Sequence, residues 1–136
     1  MSAYETNKAI SRRFFYELIN DRRYDRIPDI FDPDIEITPM GLKGYGGVDH
    51  WLKHFHQSFS DCHDVILGQW TDGDQVATQI QYTGTHDGVW LGKPPTGQKV
   101  VWQGVAIHTI RDGRIWRKHA IIDQANVFRQ LGWLSA

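Results

Sequence analysis

The sequence predicts an α+β fold in which a curved, mostly antiparallel sheet wraps around N-terminal helices. Three observations carry this expectation. Apolar residues recur at helical spacing up to Phe59. After Asp61 the pattern changes to alternation punctuated by turn dipeptides. The strands of the second half are joined by hairpin signals rather than by helices, which argues against alternating βαβ units. A sheet curved around the first and third helices would enclose a cone with room for a ligand.

The first helix is predicted over residues 4–20. Ile10, Phe14, Phe15 and Leu18 fall within an arc of about 140° at about 100° per residue, with Arg12, Arg13, Tyr16 and Asn20 opposite. A short second helix is expected over Tyr24–Phe31, with Pro28 as an interruption that can instead start a turn. Asp32-Pro33-Asp34 breaks the chain, and Ile35–Met40 reads as a strand with Ile35 and Ile37 alternating against Glu36 and Thr38. Gly41–Gly47 reads as a glycine-rich loop opening a third helix. Along that helix Val48, Trp51, Leu52, Phe55 and Phe59 form the apolar stripe, and His50 and His54 point away from it.

Strands are predicted at His63–Trp70 and Gln75–Gly84, joined through Thr71-Asp72-Gly73-Asp74. A loop follows from His86 to Gln98. Lys99–Ile110 and Arg114–Ile122 form the second hairpin, and Gln124–Leu131 a closing helix ended by Gly132.

The chain has 136 residues, which fits one domain. Lys+Arg total 15 against 16 Asp+Glu, a formal charge of -1, so no attraction to nucleic acid or anionic lipid is expected. No stretch approaches the roughly 18 apolar residues of a membrane span, and Met1 to Lys8 holds no apolar run of signal-peptide length. The single cysteine, Cys62, excludes an intramolecular disulfide framework and fits a reducing compartment. A cytoplasmic protein is the expectation. The 6 Trp, 5 Tyr, 6 Phe and 7 His stand out. Such residues fill cores, and they also line pockets for flat apolar ligands.

The last hairpin supplies the candidate chemistry. A two-residue turn at Asp112-Gly113 pairs Arg111 with Arg114. In that register Trp102 faces Asp123, Gly104 faces Ile121, Ala106 faces His119 and His108 faces Arg117. One carboxylate and two imidazoles then share a face with aliphatic and indole groups. Desolvation there would raise the carboxyl pKa toward neutrality, which suits general acid/base catalysis. A neighbouring histidine could orient it or donate to a developing oxyanion. Asp123 also stands where a strand ends and a helix begins, a favoured N-cap position for Asp. His108 and His119 can equally be satisfied core or rim residues.

The segment Leu91-Gly92-Lys93-Pro94-Pro95-Thr96-Gly97 resembles the Gly-x-x-Pro-Thr-Gly loop of SnoaL-like polyketide cyclases. Gly104, Ile110-Arg111-Asp112-Gly113-Arg114-Ile115, and Asp123 followed by Phe128-Arg129-Gln130-Leu131-Gly132 are similar to that family's closing pattern. Tyr82-Thr83-Gly84-Thr85-His86-Asp87-Gly88 resembles its Thr-Gly-Thr-His turn.

The resemblance implies a cone of the cystatin-like, nuclear transport factor-like type, an internal pocket, and a homodimer or homotetramer. It implies intramolecular aldol cyclisation, or a related enolisation, of a small apolar or aromatic carbonyl compound, with no metal and no cofactor. Asp123 maps onto the family's acid/base aspartate and His108 onto a pocket histidine. Phe15, Trp51, Phe55, Trp102 and His119 are the expected substrate contacts. An isomerase, a dehydratase, or a non-catalytic binding protein of the same shape are the alternatives. Trp51 and Trp90 are bulkier than the pattern, which would reshape the cavity.

Weaker motifs are set aside on chemistry. His50 and His54 have the i, i+4 spacing of zinc ligands, but Trp51 stands where the zinc-protease motif needs Glu. Gly41–Gly47 precedes a helix but matches neither the P-loop nor the dinucleotide fingerprint. Arg12-Arg13 and Arg22-Arg23 read as solvated faces, and Ser58 and Ser60 lack a nucleophile-elbow context.

Overall fold

A computed structural model gives the arrangement of residues 2–134. Helix α1 (Ala3–Arg13) starts on Ser2, whose hydroxyl accepts from the Glu5 amide, and runs on as a π-helical stretch, Phe14–Asn20. That wider turn matters for packing. Phe14, Phe15, Leu18 and Ile19, two adjacent pairs, are all buried. π-Helical turns are rare and concentrate at functional sites.

The expected helix over Tyr24–Phe31 is corrected. Tyr24–Arg26 is a 3-10 turn, α2 covers only Ile27–Ile30, and strand β1 already begins at Phe31 and runs to Thr38. Asp32-Pro33-Asp34 does not break the strand. The pairing of β1 is irregular between Phe31 and Glu36, so the missing N–H of Pro33 costs no ladder bond. Ile35 and Ile37 face the core as expected. After the short β2 (Leu42–Lys43), helix α3 (Gly44–Ser58) starts inside the glycine-rich segment rather than after it. Val48 and Leu52 are buried, and Trp51 and Phe55 pack half-buried beside them.

Strands β3 (His63–Asp72), β4 (Gln75–Thr85), β5 (Lys99–Arg111) and β6 (Arg114–Ile122) follow, and α4 (Gln124–Gln130) closes the chain. The six-stranded sheet has the order β2-β1-β6-β5-β4-β3. The β1–β6 pair is parallel and every other pair antiparallel. Strand β3 carries a bulge between Ile66 and Gly68, and the Trp70 ring lies over the bare Cα of Gly68. The helices cover one face of the sheet. On the other, Val65, Leu67, Trp70, Val101, Val105 and Ile121 are exposed.

The loop after β4 is tied down locally. His86 and Gln98 are joined through their backbones, His86 Nδ1 accepts from the Thr96 amide (3.2 Å), and the Gly88 amide donates to Ser58 O (3.2 Å). A Cβ on Gly88 would sit 1.9 Å from Gln57 O. Gly88→Ala is therefore expected to destabilise the protein by about 2 kcal/mol or more, the scale of overpacking against an unyielding backbone. An unchanged urea midpoint would contradict the tight approach of this loop to α3.

The last hairpin departs from the simple ladder. Arg111 pairs with Arg114 and Ile110 with Ile115, but Thr109 pairs with Arg117. Trp116 is therefore an extra residue on β6, a β-bulge. Its ring is flanked on the sheet exterior by the guanidinium groups of Arg111 and Arg117, at 4.2 and 4.0 Å from the ring centroid. Beyond the bulge every side chain of β6 changes face relative to the bulge-free register. Lys118, Ala120 and Ile122 point toward the helices, while Arg117, His119, Ile121 and Asp123 do not.

Candidate functional site

Five elements send polar side chains into one buried region between the helices and the sheet. Ser11 comes from α1, Asp64 from β3, Thr78 from β4, His108 from β5 and Lys118 from β6, and all five are buried. Ser11 lies within the apolar arc of its helix, at the position where a small hydroxyl can meet the sheet.

His108 links both sides of the cluster. Its Nδ1 is 2.7 Å from Ser11 Oγ and its Nε2 is 3.2 Å from Lys118 Nζ. A protonated Lys118 can only donate, so Nε2 accepts and the imidazole proton sits on Nδ1, where it donates to Ser11. Ser11 Oγ lies 3.1 Å from Thr78 Oγ1, which also accepts from Gln69 Nε2 at 3.1 Å. Burial, and then the Lys118 charge, hold His108 well below the usual imidazole range, so it works as a neutral ring.

Lys118 Nζ sits 3.9 Å from the Phe14 ring centroid and 5.9 Å from that of Trp51. Among the described residues it forms no ion pair. Burial lowers its pKa to about 7 against the opposing pull of Asp64.

Asp64 is the mirror case. Its main chain is gripped on both sides by Asn20, whose Nδ2 donates to Asp64 O (2.9 Å) and whose Oδ1 accepts from Asp64 N (2.8 Å). Its carboxylate oxygens, by contrast, are buried without a hydrogen-bond partner among the described residues. Burial pushes this carboxyl up to about 8, and the Lys118 charge opposes the rise. Directly across the ladder stands Tyr82, whose phenol is pushed up by burial and then by the Asp64 charge. An orphaned carboxylate and an unpaired ammonium thus share one low-dielectric interior. Perturbed groups of that kind mark functional sites.

The walls are aromatic. Phe15 stacks on His108 with ring centroids 5.7 Å apart, and Trp51 stacks on Phe14 at 6.0 Å. Trp102 meets Phe55 edge-on at 6.4 Å and stacks on Tyr82 at 5.3 Å. These rings line the interior between the helices and the sheet. Two grooves lie elsewhere. One of about 490 Å³ runs along the β1–β2 edge beside Glu36, Lys43, Arg111 and Arg117. Another of about 290 Å³ lies beside Gln79, Gln103, Val105, Ile121 and Asp123.

Of the residues singled out in the sequence, His108, Phe15, Trp51, Phe55 and Trp102 come together in this region. Asp123 and His119 do not, because the Trp116 bulge moves them off the inner face. Asp123 is exposed at the start of α4, where Oδ1 accepts from the Asn126 amide (3.3 Å), so the N-cap alternative describes its contacts. His119 is also exposed, with Nδ1 2.7 Å from Thr38 Oγ1. Sequence reasoning missed Asp64, Lys118, Ser11 and Tyr82. It also missed His56, a buried α3 histidine whose Nε2 donates to Ile19 O at 2.9 Å and whose pKa burial lowers. His50 and His54 stack on the exposed side of α3. Cys62 is buried, its thiol pushed up to about 12 by burial first, so it carries little thiolate. No helix among the described residues is long and apolar enough to cross a membrane.

Comparison with known proteins completes the picture. The family model for SnoaL-like polyketide cyclases matches residues 9–131. No curated protein matches the sequence. Among solved structures, TsrD from Streptomyces laurentii superposes with a TM-score of 0.89 at 18% identity, over 98% of this chain and 100% of that one. A protein from Jannaschia sp. CCS1 assigned to the SnoaL-like polyketide cyclases gives 0.89 at 23% identity, over 99% and 98%. AclR from Streptomyces galilaeus, a candidate hydroxylase, gives 0.84 at 24% identity, over 99% and 89%. At these identities the superpositions establish a shared α+β cone fold.

Proposed function

Because the chain belongs to the SnoaL-like polyketide cyclase family, we propose that it is an acid/base enzyme acting on a small carbonyl-bearing compound, with Asp64 rather than Asp123 carrying the proton. The observation that supports this reading most is the buried Asp64 carboxylate, held in place through its backbone yet left without a hydrogen-bond partner among the described residues. A fold gains nothing in stability from such a group, whereas a reaction needs one.

In this reading the Asp64 carboxylate takes a proton from the carbon next to the carbonyl. The resulting enolate is stabilised by the positive side of the cluster, Lys118 with His108 behind it. Protonated Asp64 then returns the proton, to the new alkoxide in an aldol cyclisation or to another carbon in an isomerisation. Phe15, Trp51, Phe55 and Trp102 hold the substrate in a reactive pose. The bulky rings that line the interior favour a compact substrate over a tetracyclic one.

The test is solvent deuterium exchange at the α-carbon of small cyclic and aryl methyl ketones, followed by NMR. The wild-type protein is expected to accelerate exchange. Asp64→Asn should lose about 10²-fold or more, the scale of one general base, while Asp123→Asn stays within about twofold of wild type. The opposite ranking of the two variants overturns the assignment. No acceleration in any of the three favours the non-catalytic binding protein.

A further inference from the structure

We propose that Lys118 is a covalent nucleophile, its amine condensing with an aldehyde or ketone substrate to give an imine on which Asp64 then acts. This deepens the acid/base reading and rests on it.

The geometry is that of an amine kept for its chemistry. Lys118 is only 3% exposed, and its described polar partner is a single imidazole nitrogen at 3.2 Å. Buried lysines are ordinarily paired with a carboxylate. Here the interior carboxylate, Asp64, is instead left without a partner. A methionine would fill the same channel against Phe14 and Trp51 without a desolvation cost, so packing does not explain a lysine. Burial among rings favours the neutral, nucleophilic amine near neutral pH, the recognised way to activate a lysine toward carbonyls. His108 Nε2 is the base within reach of the proton that nitrogen must lose, and its Nδ1 continues to Ser11 and Thr78.

The Nζ lone pair forms the C–N bond while the carbonyl π pair moves to oxygen, and the proton leaving nitrogen reaches that oxygen through His108. The carbinolamine loses its hydroxyl as water, using one proton from the acid form of Asp64, and leaves a protonated imine. The Asp64 carboxylate then removes the adjacent C–H proton, and that electron pair flows toward the positive nitrogen to give an enamine. Reprotonation and addition of water reverse these steps and release Lys118. The chemistry needs an aldehyde or ketone, and it excludes esters and thioesters as imine partners.

Reductive trapping tests this. The intact protein is incubated at pH 7 with benzaldehyde and cyanoborohydride, and benzyl adducts are located by peptide mass mapping. The expected result is an adduct on Lys118 forming about tenfold or more faster than on Lys8, Lys43, Lys53, Lys93 or Lys99, since a lowered pKa enlarges the free-amine fraction. Lys118→Met, which retains the packing volume, should lose that fast adduct and also the ketone exchange activity. Adducts spread over the other lysines with Lys118 unmodified overturn the proposal. If Asp64-dependent exchange persists while Lys118 takes no adduct, the imine falls and the acid/base reading stands. If Lys118 is trapped but Asp64→Asn exchanges normally, the imine stands and the assignment of Asp64 falls.

Discussion

Asp64→Asn is expected to gain stability relative to the wild-type protein as pH rises from 4 to 8, by about 2 kcal/mol or more over that interval, although it removes a candidate catalytic group. In the unfolded chain Asp64 ionises near its ordinary value of 3.8, whereas in the fold burial moves it to about 8. Between those values the folded state binds the extra proton, so stability falls with rising pH, and the loss is complete above about 8. Every tenfold difference in proton affinity between the two states corresponds to about 1.4 kcal/mol. The attraction of Lys118 and local relaxation reduce the total, so 2 kcal/mol is a lower figure. Asparagine cannot ionise and escapes the loss.

Lys118 acts in a different window. Its folded value, lowered from 10.5 to about 7, imposes a cost that is full below about 7 and fades as pH rises toward 10.5. The two groups together predict a trough in wild-type stability between about pH 7 and 8. Urea unfolding at half-unit pH steps checks both statements. Parallel curves for wild type and Asp64→Asn would show that Asp64 is not buried as an ionisable group.

Deleting Trp116 is expected to leave a folded protein with an unchanged interior. Trp116 is the residue without a ladder partner, so its removal leaves Ile110 on Ile115 and Thr109 on Arg117, and Lys118, Ala120 and Ile122 still point toward the helices. What is lost is the ring between Arg111 and Arg117, about 1–2 kcal/mol for two cation–π contacts. Urea unfolding of the deletion variant beside Trp116→Ala measures this, and the two midpoints should fall close together. A deletion variant that fails to fold would mean that the local bend of the bulge, and not only the facing it sets, holds β6 against its neighbours.

These two experiments mark where the sequence was legible and where it was not. The apolar stripes of α1 and α3, both hairpins and the closing helix could be read because each depends on local periodicity and on turn residues such as Asp72-Gly73 and Asp112-Gly113. The bulge could not, because no turn residue announces Trp116. Its outward seat between two arginines depends on neighbours already placed by the fold. One unseen residue therefore exchanged Asp123 and His119 for Lys118 in the interior. His108 escaped the error because it lies on the strand that the bulge does not shift. Asp64 was missed for another reason. Its neighbour Ile66 marks the inner side of β3, so a charged residue at inner spacing was the available signal. Ser11 carried the same kind of signal, a polar residue inside an apolar helical arc. In both cases the residue that breaks the pattern belongs to the buried polar cluster.

The two margins of the sheet bear on how readily it can grow by strand addition. At one margin β2 offers only two residues, too little backbone to template another strand. At the other, β3 is ten residues long, but its bulge at Leu67 and the Trp70 ring folded over Gly68 break the straight row of amides and carbonyls that an incoming strand would need. Fibre-like growth by strand addition is hindered at both margins, at the first also by Pro33 in β1, even though the broad outer face leaves several aliphatic side chains in water.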